Sequence, residues 1–407
     1  MKKLLQINTV INSGSTGHIA EGIGQLAIKN GWESYIAYGR NDRPSSSTKI
    51  KIETKWSIYL HVLKTRLFDR HGFGSKKATK KFIKQIETIK PDIIHLHNIH
   101  GYYLNIEALF HYLKVTNIPI VWTLHDCWSF TGHCSHFEYI KCKKWIKLCN
   151  HCPQKKNYPA SFFLDNSTKN YLDKKRLFTS VSNMTIISVS QWINDLLSNS
   201  FLSKYPKKII PNGIDTALFS PQNNCQIREK LNLKESDFVI LGVATVWNER
   251  KGLMDFIKLA NLIDTNTKIV LVGLSEHQKK NLPKNIIPLT RTESQKELAE
   301  LYSAANVVLN LSYEESFGMT TVEGFACGTP SIVYNCTASP ELLTNKTGFI
   351  VQAGNLDELI YAINTIRKNT KSYYSSFCIE RAITFYDKNK QFANYINLYD
   401  DILSNNS

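Results

Sequence analysis

The sequence has no apolar run that approaches the ~18 residues a helix needs to cross a bilayer. Glycine (19) and proline (12) are too sparse in 407 residues for a collagen-like or low-complexity chain. Residues 1–5 resemble the start of a signal peptide, but polar residues follow at Gln6 and Asn8 without a small-residue cleavage site. We therefore expect a cytoplasmic globular protein whose chain begins with a β-strand.

Negative charge is scarce in the first half of the chain. Residues 1–209 contain 31 lysines and arginines against 13 aspartates and glutamates, whereas residues 210–407 contain 19 against 21. Nearly all of the net charge of +16 therefore belongs to the first half. This basic half favours an anionic partner: a phosphate-bearing substrate, nucleic acid or an anionic membrane surface. A solvated basic face without a specific partner is the alternative.

Apolar strand patterns alternate with amphipathic helices, which predicts α/β domains with parallel sheets. Two such sheets in tandem leave a cleft, a common place for a ligand. We predict a first Rossmann-like domain at residues 1–209, with a cysteine-rich insertion at about 127–153. A second Rossmann-like domain is predicted at 210–380, and a C-terminal helix in 381–407 that packs back on the first domain.

Two turns at helix starts could bind an anion. The first, Ser13 to Gly17, is neither a G-x-G-x-x-G loop nor a nucleoside triphosphatase loop, but it follows a strand and its amides could bind an anion. The second lies in the stretch from Glu315 to Glu323, where a Phe-Gly turn opens a helix. Its amides suit a diphosphate or a sugar oxygen, and its carboxylates can accept hydrogen bonds from sugar or ribose hydroxyls. A solvated helix face is the alternative.

Charged side chains also follow two predicted strands. Arg250 and Lys251 lie at a strand-to-helix turn, where they could clamp phosphates, although a surface pair is equally compatible with the pattern. His125 and Asp126 lie at the carboxyl end of a strand, where open α/β sheets bind ligands. His125 could bond a substrate hydroxyl there, or it could be a packed loop histidine.

Several segments complete a pattern across almost the whole chain. They are Pro211–Asp215 (P-N-G-I-D), Arg250–Gly252 (R-K-G), the Glu315–Glu323 stretch and Ala326–Pro330 (A-C-G-T-P). Their order and spacing resemble those of the family 4 glycosyltransferases, retaining enzymes of the GT-B fold. The glycine loop, residues 95–98 (H-L-H-N) and residues 123–126 (T-L-H-D) extend the resemblance more loosely to the first domain.

The resemblance implies an α/β fold of GT-B type, with two Rossmann-like domains that face each other across a cleft. The first would bind the acceptor and the second a nucleotide-diphosphate sugar. It implies catalytic roles for His125 on the sugar, Glu315 on the sugar hydroxyls, and Arg250 and Lys251 on the diphosphate. Further donor-binding residues implied by it are Gly14, Gly17, Asn212, Gly318, Met319, Thr320 and Glu323, the last on the ribose.

The implied reaction is a front-face displacement, in which positioning and electrostatics do most of the catalysis and no catalytic metal is needed. One position departs from the family pattern. Many members carry an arginine six residues before the lysine, where this chain has Thr245. Arg250 could supply that charge, so the departure affects the expected phosphate contacts and not the class.

Five of the nine cysteines fall between residues 127 and 152. Cys134, Cys142, Cys149 and Cys152 have the spacing C-x7-C-x6-C-x2-C, which suits a structural zinc in a cytoplasmic chain. Cys127 is a weaker candidate, and a neighbouring histidine could replace one thiolate. Reduced, packed thiols are the alternative. Similar cysteine insertions occur in a subset of the family.

The basic first half has a natural interpretation within the family, whose acceptors are often polyprenyl-diphosphate-linked sugars at the inner membrane face. The stretch Trp56–Phe68 and the lysine-rich helix Lys76–Lys84 could dock on anionic lipid. Alternatively, the apolar residues are core and the lysines are solvated. We expect a cytoplasmic enzyme that is peripheral on the inner face of the plasma membrane.

The sequence therefore predicts a hexosyltransferase that adds a sugar to a glycan or lipid-linked acceptor in capsule, exopolysaccharide or O-antigen synthesis. A nucleotide-sugar 2-epimerase or a glycan phosphorylase of the same fold is the alternative. A nucleic-acid or zinc-dependent binding module is a more distant one. No nucleic-acid motif is present, and we expect no nucleic-acid partner.

Overall fold

The computed structural model describes residues 1–280 and 282–405. Its contacts divide the chain into two compact units. The first contains Met1–Pro211 together with the chain from Gln391 onward, and the second contains Asn212–Lys390. The predicted third segment, 381–407, is thus shared between the units, and its residues 406 and 407 lie outside the described residues.

A wholly parallel sheet forms the centre of the first unit, with the described strands in the order β3-β2-β1-β4-β5-β6-β7. These strands are Lys3–Val10 (β1), Glu33–Arg40 (β2), Thr48–Lys51 (β3), Ile93–Leu96 (β4), Ile120–Leu124 (β5), Met184–Ser188 (β6) and Lys207–Ile209 (β7). The central strands β4 and β5 are buried along their whole length, as expected for a sheet that is covered on both faces.

Helices connect these strands and cover the sheet. They are Gly14–Lys29 (α1), Lys55–Phe68 (α2), Lys76–Ile89 (α3), Ile106–Val115 (α4), Ser167–Phe178 (α5) and Gln191–Ser198 (α6). The C-terminal helix Lys388–Ser404, which we number α12, buries Phe392, Tyr395 and Tyr399 in one cluster with Leu4 and Trp32. This cluster makes the end of the chain part of the first unit's core.

The second unit has its own parallel sheet, in the order β10-β9-β8-β11-β12-β13 among the described residues. Its strands are Phe238–Val243 (β8), Thr267–Val272 (β9), Ile286–Leu289 (β10), Val307–Asn310 (β11), Ser331–Tyr334 (β12) and Gly348–Val351 (β13). Its helices are Cys225–Lys230 (α7), Leu253–Ala260 (α8), Gln295–Ala304 (α9), Met319–Ala326 (α10) and Leu356–Tyr386 (α11), the last interrupted at Thr370.

The predicted α/β class with two parallel Rossmann-like sheets is confirmed. Because all strands of a parallel sheet run the same way, the loops that leave β1, β4 and β5 share one edge, as do those that leave β8 and β11. Across residues 1–280 and 282–405, no helix combines the length and apolar character that crossing a bilayer requires.

Candidate active site

The turn after β8 places two cations beside the end of β11. Glu249–Lys251 form a single 3-10 turn, in which the Asn248 side chain accepts a hydrogen bond from the Lys251 amide at 3.2 Å. Gly252 follows with a φ of +73°, and a Cβ there would lie 2.1 Å from the Leu311 carbonyl oxygen. Only glycine fits this close approach, so the turn is held against the loop that leaves β11.

Lys251 forms an ion pair with Glu315, and the Ser312 hydroxyl donates to the same carboxylate at 2.9 Å. Arg250 donates to the Glu314 carbonyl oxygen at 2.7 Å. Burial alone would raise the pKa of Glu315, but Lys251 and Arg250 outweigh it and keep the pKa below its ordinary value. Glu315 is therefore ionised at neutral pH, and Arg250 lies close enough to act on it.

The Phe-Gly turn ends at Gly318, which has a φ of +109° and precedes the first residue of α10. A Cβ on Gly318 would lie 2.9 Å from the Leu342 side chain. Glycine at this position therefore allows both the positive φ of the turn and the close packing of Leu342 against it. Amides in the first turn of a helix have no acceptor within that helix. The amides of Met319 and Thr320 thus carry the partial positive charge that attracts anions.

Glu323 lies one turn further along α10, where the Tyr302 hydroxyl donates to its carboxylate at 2.8 Å. Burial raises the pKa of Glu323 to about 7, so its protonated and ionised forms are both populated at neutral pH.

Asn212, the first residue of the second unit, is buried, and its Oδ1 has no hydrogen-bond partner within the described chain. Thr245, which occupies the position where many members of the resembled family have an arginine, is exposed.

Residues that the sequence did not indicate hold the Glu315 loop in place. The buried Asp255 carboxylate accepts hydrogen bonds from Tyr313 at 2.7 Å and Tyr334 at 2.9 Å. The Thr337 hydroxyl accepts from the Glu315 amide at 2.9 Å. Asp255 lies in the first turn of α8, four residues after Lys251. This closeness to the Arg250–Gly252 motif was the only feature of the sequence that could have indicated its role.

In the first unit, the glycine loop leads from β1 directly into α1. Gly14 is the first helical residue and has a φ of +60°. A Cβ on Gly17 would lie 3.2 Å from the Asn12 amide nitrogen, so a side chain there would crowd the loop backbone. His18 bonds the Asn12 side chain at 3.0 Å. Both predicted glycines therefore lie in the first turn of α1, directly after the tight loop that follows β1.

His125 follows β5 and belongs to a chain of side-chain hydrogen bonds. Its Nε2 lies 3.1 Å from Nδ1 of His97, and Nε2 of His97 lies 3.0 Å from Oε1 of Gln6. The side-chain Nε2 of Gln6 donates to the Ala20 carbonyl oxygen at 2.8 Å, which leaves the side-chain Oε1 as the acceptor for His97. Burial keeps the pKa of His97 well below its ordinary value, so this imidazole is neutral.

These contacts fix the protonation of both rings. A neutral His97 that donates from Nε2 must accept at Nδ1, so His125 donates from Nε2 and carries its lone pair on Nδ1. Burial lowers the pKa of His125 to about 4, and Asp126 opposes this shift only in part. His125 is therefore a neutral hydrogen-bond acceptor at physiological pH, suited to a hydroxyl donor.

Asp126, the next residue, bonds His100 at 2.9 Å and accepts from the Trp128 amide at 2.9 Å. Burial alone would raise the pKa of Asp126, but His100 outweighs it and lowers the pKa to about 2. A small cavity at the ends of β4 and β5 is lined by His97, His100, His125 and Asp126 among others. His95 belongs elsewhere: it is fully buried and bonds Thr123 and Tyr399.

The four predicted zinc ligands line a single cavity, together with His133. The thiols of Cys134 and Cys152 share a hydrogen bond, and the Gly132 amide donates to Cys149 Sγ at 3.2 Å. The donor set and the shared cavity suit zinc chemically. Nevertheless, no group of three or more His, Cys, Asp or Glu side chains in residues 1–280 and 282–405 has an arrangement that could hold a metal ion.

Comparison with known proteins covers both units. A family model described as "Glycosyltransferase Family 4" matches residues 18–218, and one described as "Glycosyl transferases group 1" matches residues 223–380. A glycosyl transferase of Escherichia coli named for colanic acid biosynthesis, WcaC, is 24% identical over 424 aligned positions, which cover 98% of this chain and 100% of the relative. An alpha-galactosylglucosyldiacylglycerol synthase of Streptococcus pneumoniae is 29% identical over 183 positions, or 42% of this chain and 47% of that protein.

Solved structures share the fold from end to end. Sucrose-phosphate synthase of Thermosynechococcus elongatus superposes with a TM-score of 0.74 at 17% identity, covering 99% of this chain and 100% of that one. Anabaena HepE in complex with UDP-glucose superposes with a TM-score of 0.67 at 16% identity, covering 98% and 100%. With the two family models matched in order and the fold shared throughout, the chain belongs to the family 4 glycosyltransferases and is a glycosyltransferase of the GT-B fold.

Proposed function

We propose that this enzyme is a retaining hexosyltransferase that moves a sugar from a nucleotide-diphosphate donor to a glycan or lipid-linked acceptor. The observation that carries the proposal is the cluster of Arg250, Lys251 and Glu315 beside the start of α10. Two cations and the first-turn amides of a helix would attract a diphosphate. An ionised carboxylate in the same cluster would accept hydrogen bonds from sugar hydroxyls.

The proposed reaction draws its electrostatic stabilisation from these groups. The bond between the sugar's anomeric carbon and the diphosphate breaks, and its electron pair stays on the phosphate oxygen. The acceptor hydroxyl oxygen bonds to the same carbon from the same face, and its proton passes to the departing phosphate. Lys251 and Arg250 stabilise the charge that develops on the leaving group. The reaction as proposed needs no catalytic metal.

Other residues would position the donor. We assign Glu323 to the ribose, His125 to a sugar hydroxyl, and the amides of Gly318, Met319 and Thr320 to the sugar and diphosphate. Asn212 brings an unpartnered buried oxygen that could accept a further hydrogen bond from the donor. Gly14 and Gly17 would leave room for the diphosphate or the acceptor beside the first glycine loop.

The comparisons support a polysaccharide pathway and a uridine nucleotide. The relative aligned along its full length is named for colanic acid biosynthesis, and HepE structures contain UDP and UDP-glucose. We therefore propose a role in capsule, exopolysaccharide or O-antigen synthesis, with UDP-sugars as the first donors to test. Synthases of glycosyldiacylglycerols among the relatives favour a lipid-linked acceptor and a peripheral place on the inner membrane face.

We expect one class of nucleotide sugar to raise the melting temperature of the purified protein in the presence of EDTA. At a ligand concentration of about 100 times Kd, the stabilisation is about 2.7 kcal/mol. The panel contains UDP-, GDP-, ADP- and dTDP-sugars. The shift should shrink in Glu323→Gln, which keeps the side-chain volume, and persist in Glu235→Ala, an exposed control in the same unit.

The same preparation separates the alternatives. Transfer of labelled sugar to an acceptor, with the anomeric configuration kept, supports the proposal. Epimerisation of the donor without acceptor, or phosphorolysis of a glycan, would replace it by one of the related activities. No shift with any nucleotide sugar, together with binding to nucleic acid at low salt, would favour a binding module.

We also propose that Cys134, Cys142, Cys149 and Cys152 bind a structural zinc. The proposal rests on their spacing and on the single cavity that all four line. Side-chain movement within that cavity would be needed to form the tetrahedral set. No catalytic step depends on this metal, which would instead tie together the loop between β5 and α5.

Protein purified without chelator should contain about one zinc per chain by elemental analysis. Cys142→Ser should reduce the zinc content to below about one fifth and lower the melting temperature. Cys225→Ser changes an exposed cysteine in the second unit and should leave both unchanged. A wild-type content below about half a zinc per chain would exclude the site.

A further inference from the structure

Helix α2 presents its apolar side chains to solvent. Trp56, Tyr59, Leu60 and Leu63 are 81%, 67%, 66% and 53% exposed, and their spacing places them on one face. The buried positions of the same helix are His61 and Thr65. A helix at the surface of a soluble protein normally has the opposite arrangement, with its apolar stripe turned inward. The exposed stripe therefore indicates a surface that binds a partner outside this chain.

A second segment extends the exposed apolar surface. The Phe162 amide donates to the Arg66 carbonyl at 2.8 Å, and the Leu164 amide donates to the Leu67 carbonyl at 3.3 Å, so this loop is fixed to the last turn of α2. Phe162, Phe163 and Leu164 are 61%, 69% and 49% exposed. We call the seven residues of the stripe and the loop the apolar platform.

The charge around the platform is predominantly positive, although α3 also carries the exposed Glu87 near its end. Residues 54–86 contain nine lysines and arginines and a single carboxylate, Asp69. Asp69 is fully buried and pairs with His133 at 2.5 Å, so it does not offset the surface charge. In α3, Phe82 and Ile86 are buried, and the exposed side carries Lys77, Lys80, Lys81 and Lys84.

We propose that the apolar platform docks on an anionic lipid bilayer, with the surrounding lysines against the headgroups. Tryptophan and tyrosine favour the depth at which headgroups meet acyl chains, and basic side chains beside such a face add electrostatic attraction. A symmetric contact between two copies would instead bring the cations of residues 54–86 against one another, apart from Arg70, which pairs with Asp173 at 2.8 Å. The charge complementarity thus selects lipid over a second copy.

This inference deepens the proposed function by naming the surface that would face a lipid-linked acceptor. Its test measures lipid binding and not sugar transfer, so the two proposals can fail separately. Full-length protein should float with vesicles of phosphatidylglycerol and phosphatidylcholine at about 50 mM salt. Flotation should fall at least about tenfold with pure phosphatidylcholine, and fall again at about 0.5 M salt because of screening.

Two triple variants with matched substitutions distinguish vesicle binding by the platform from non-specific binding by exposed apolar side chains elsewhere. Trp56→Ser, Tyr59→Ser and Leu63→Ser together should weaken binding by at least about tenfold. Leu262→Ser, Tyr361→Ser and Tyr373→Ser remove similarly exposed side chains from the second unit and should leave it unchanged. Both sets are exposed, so melting temperatures within a few degrees of wild type should confirm folding.

Trp56 also offers a direct probe of insertion. The other tryptophans of the chain are buried or half-buried, whereas Trp56 is 81% exposed. Brominated anionic lipid should quench a part of the tryptophan fluorescence that is missing in Trp56→Phe, although this variant should still float. Anionic flotation that the platform triple leaves intact would overturn the proposal. So would absence of flotation, or a dimer in solution that the same triple dissociates.

Discussion

Lys251→Ala is expected to lower kcat for sugar transfer by about 100- to 1,000-fold, the range found when one preorganised donor to a developing charge is removed. In the proposed reaction, Lys251 neutralises the leaving diphosphate and also holds Glu315 in its ionised form. Its removal therefore affects two parts of the site. Glu315 would keep Ser312 and the nearby Arg250, so the loop should remain folded. Initial rates with saturating donor and acceptor measure the effect.

The matched control is Lys296→Ala, which removes an exposed lysine from the first turn of α9 in the same unit and should leave the rate within about twofold. Glu315→Gln tests the other half of the pair. If the pair acts as one unit, the double variant should lose much less than the product of the two single losses. A rate for Lys251→Ala within about threefold of wild type would show that this cation does not act on the leaving group.

The sequence was sufficient for the fold class because long apolar strands such as Phe238–Val243 alternate with amphipathic helices. It did not reveal β3, β10 or β13. Strand β3 contains Lys49 and Lys51, and β10 contains Pro288. Lysine and proline are typical of edge strands, which lack the continuous apolar run that identifies a buried strand. Each of the three is the outermost strand at one edge of its sheet, where pairing with a single neighbouring strand decides the structure.

For the site, the residues near glycine turns were predictable because the turn chemistry is local. Gly252 and Gly318 both adopt positive φ at helix starts, and each lies beside charged or amide groups that were predicted to bind the donor. The supporting residues were not predictable. Asp255 meets Tyr334 across 79 positions of sequence, and Gln6 meets His97 across 91. Only tertiary packing brings such pairs together.

His125→Ala is expected to reduce kcat by about 10- to 100-fold, which corresponds to the loss of one buried hydrogen bond of about 1–3 kcal/mol. His111→Ala, an exposed histidine on α4, is the matched control and should leave kcat unchanged. Because the pKa of His125 is lowered to about 4, this residue should add no limb to the rate profile between about pH 5.5 and 8. A limb near pH 7 should belong to Glu323 and disappear in Glu323→Gln.

Gln6→Glu tests whether the hydrogen-bond chain sets the protonation of His125. A buried carboxylate beside His97 would favour an imidazolium there, which must donate from Nδ1 as well as Nε2. His125 would then accept at Nε2 and move its own proton to Nδ1, so the face offered to the sugar hydroxyl would change from acceptor to donor. Nitrogen-15 NMR of the histidine rings reports this tautomer directly, and kcat should fall toward the His125→Ala level. An unchanged His125 tautomer with a folded protein would mean that His97 only packs against it. The lone pair of His125 would in that case be set by its own surroundings, and Gln6 would have no part in positioning it.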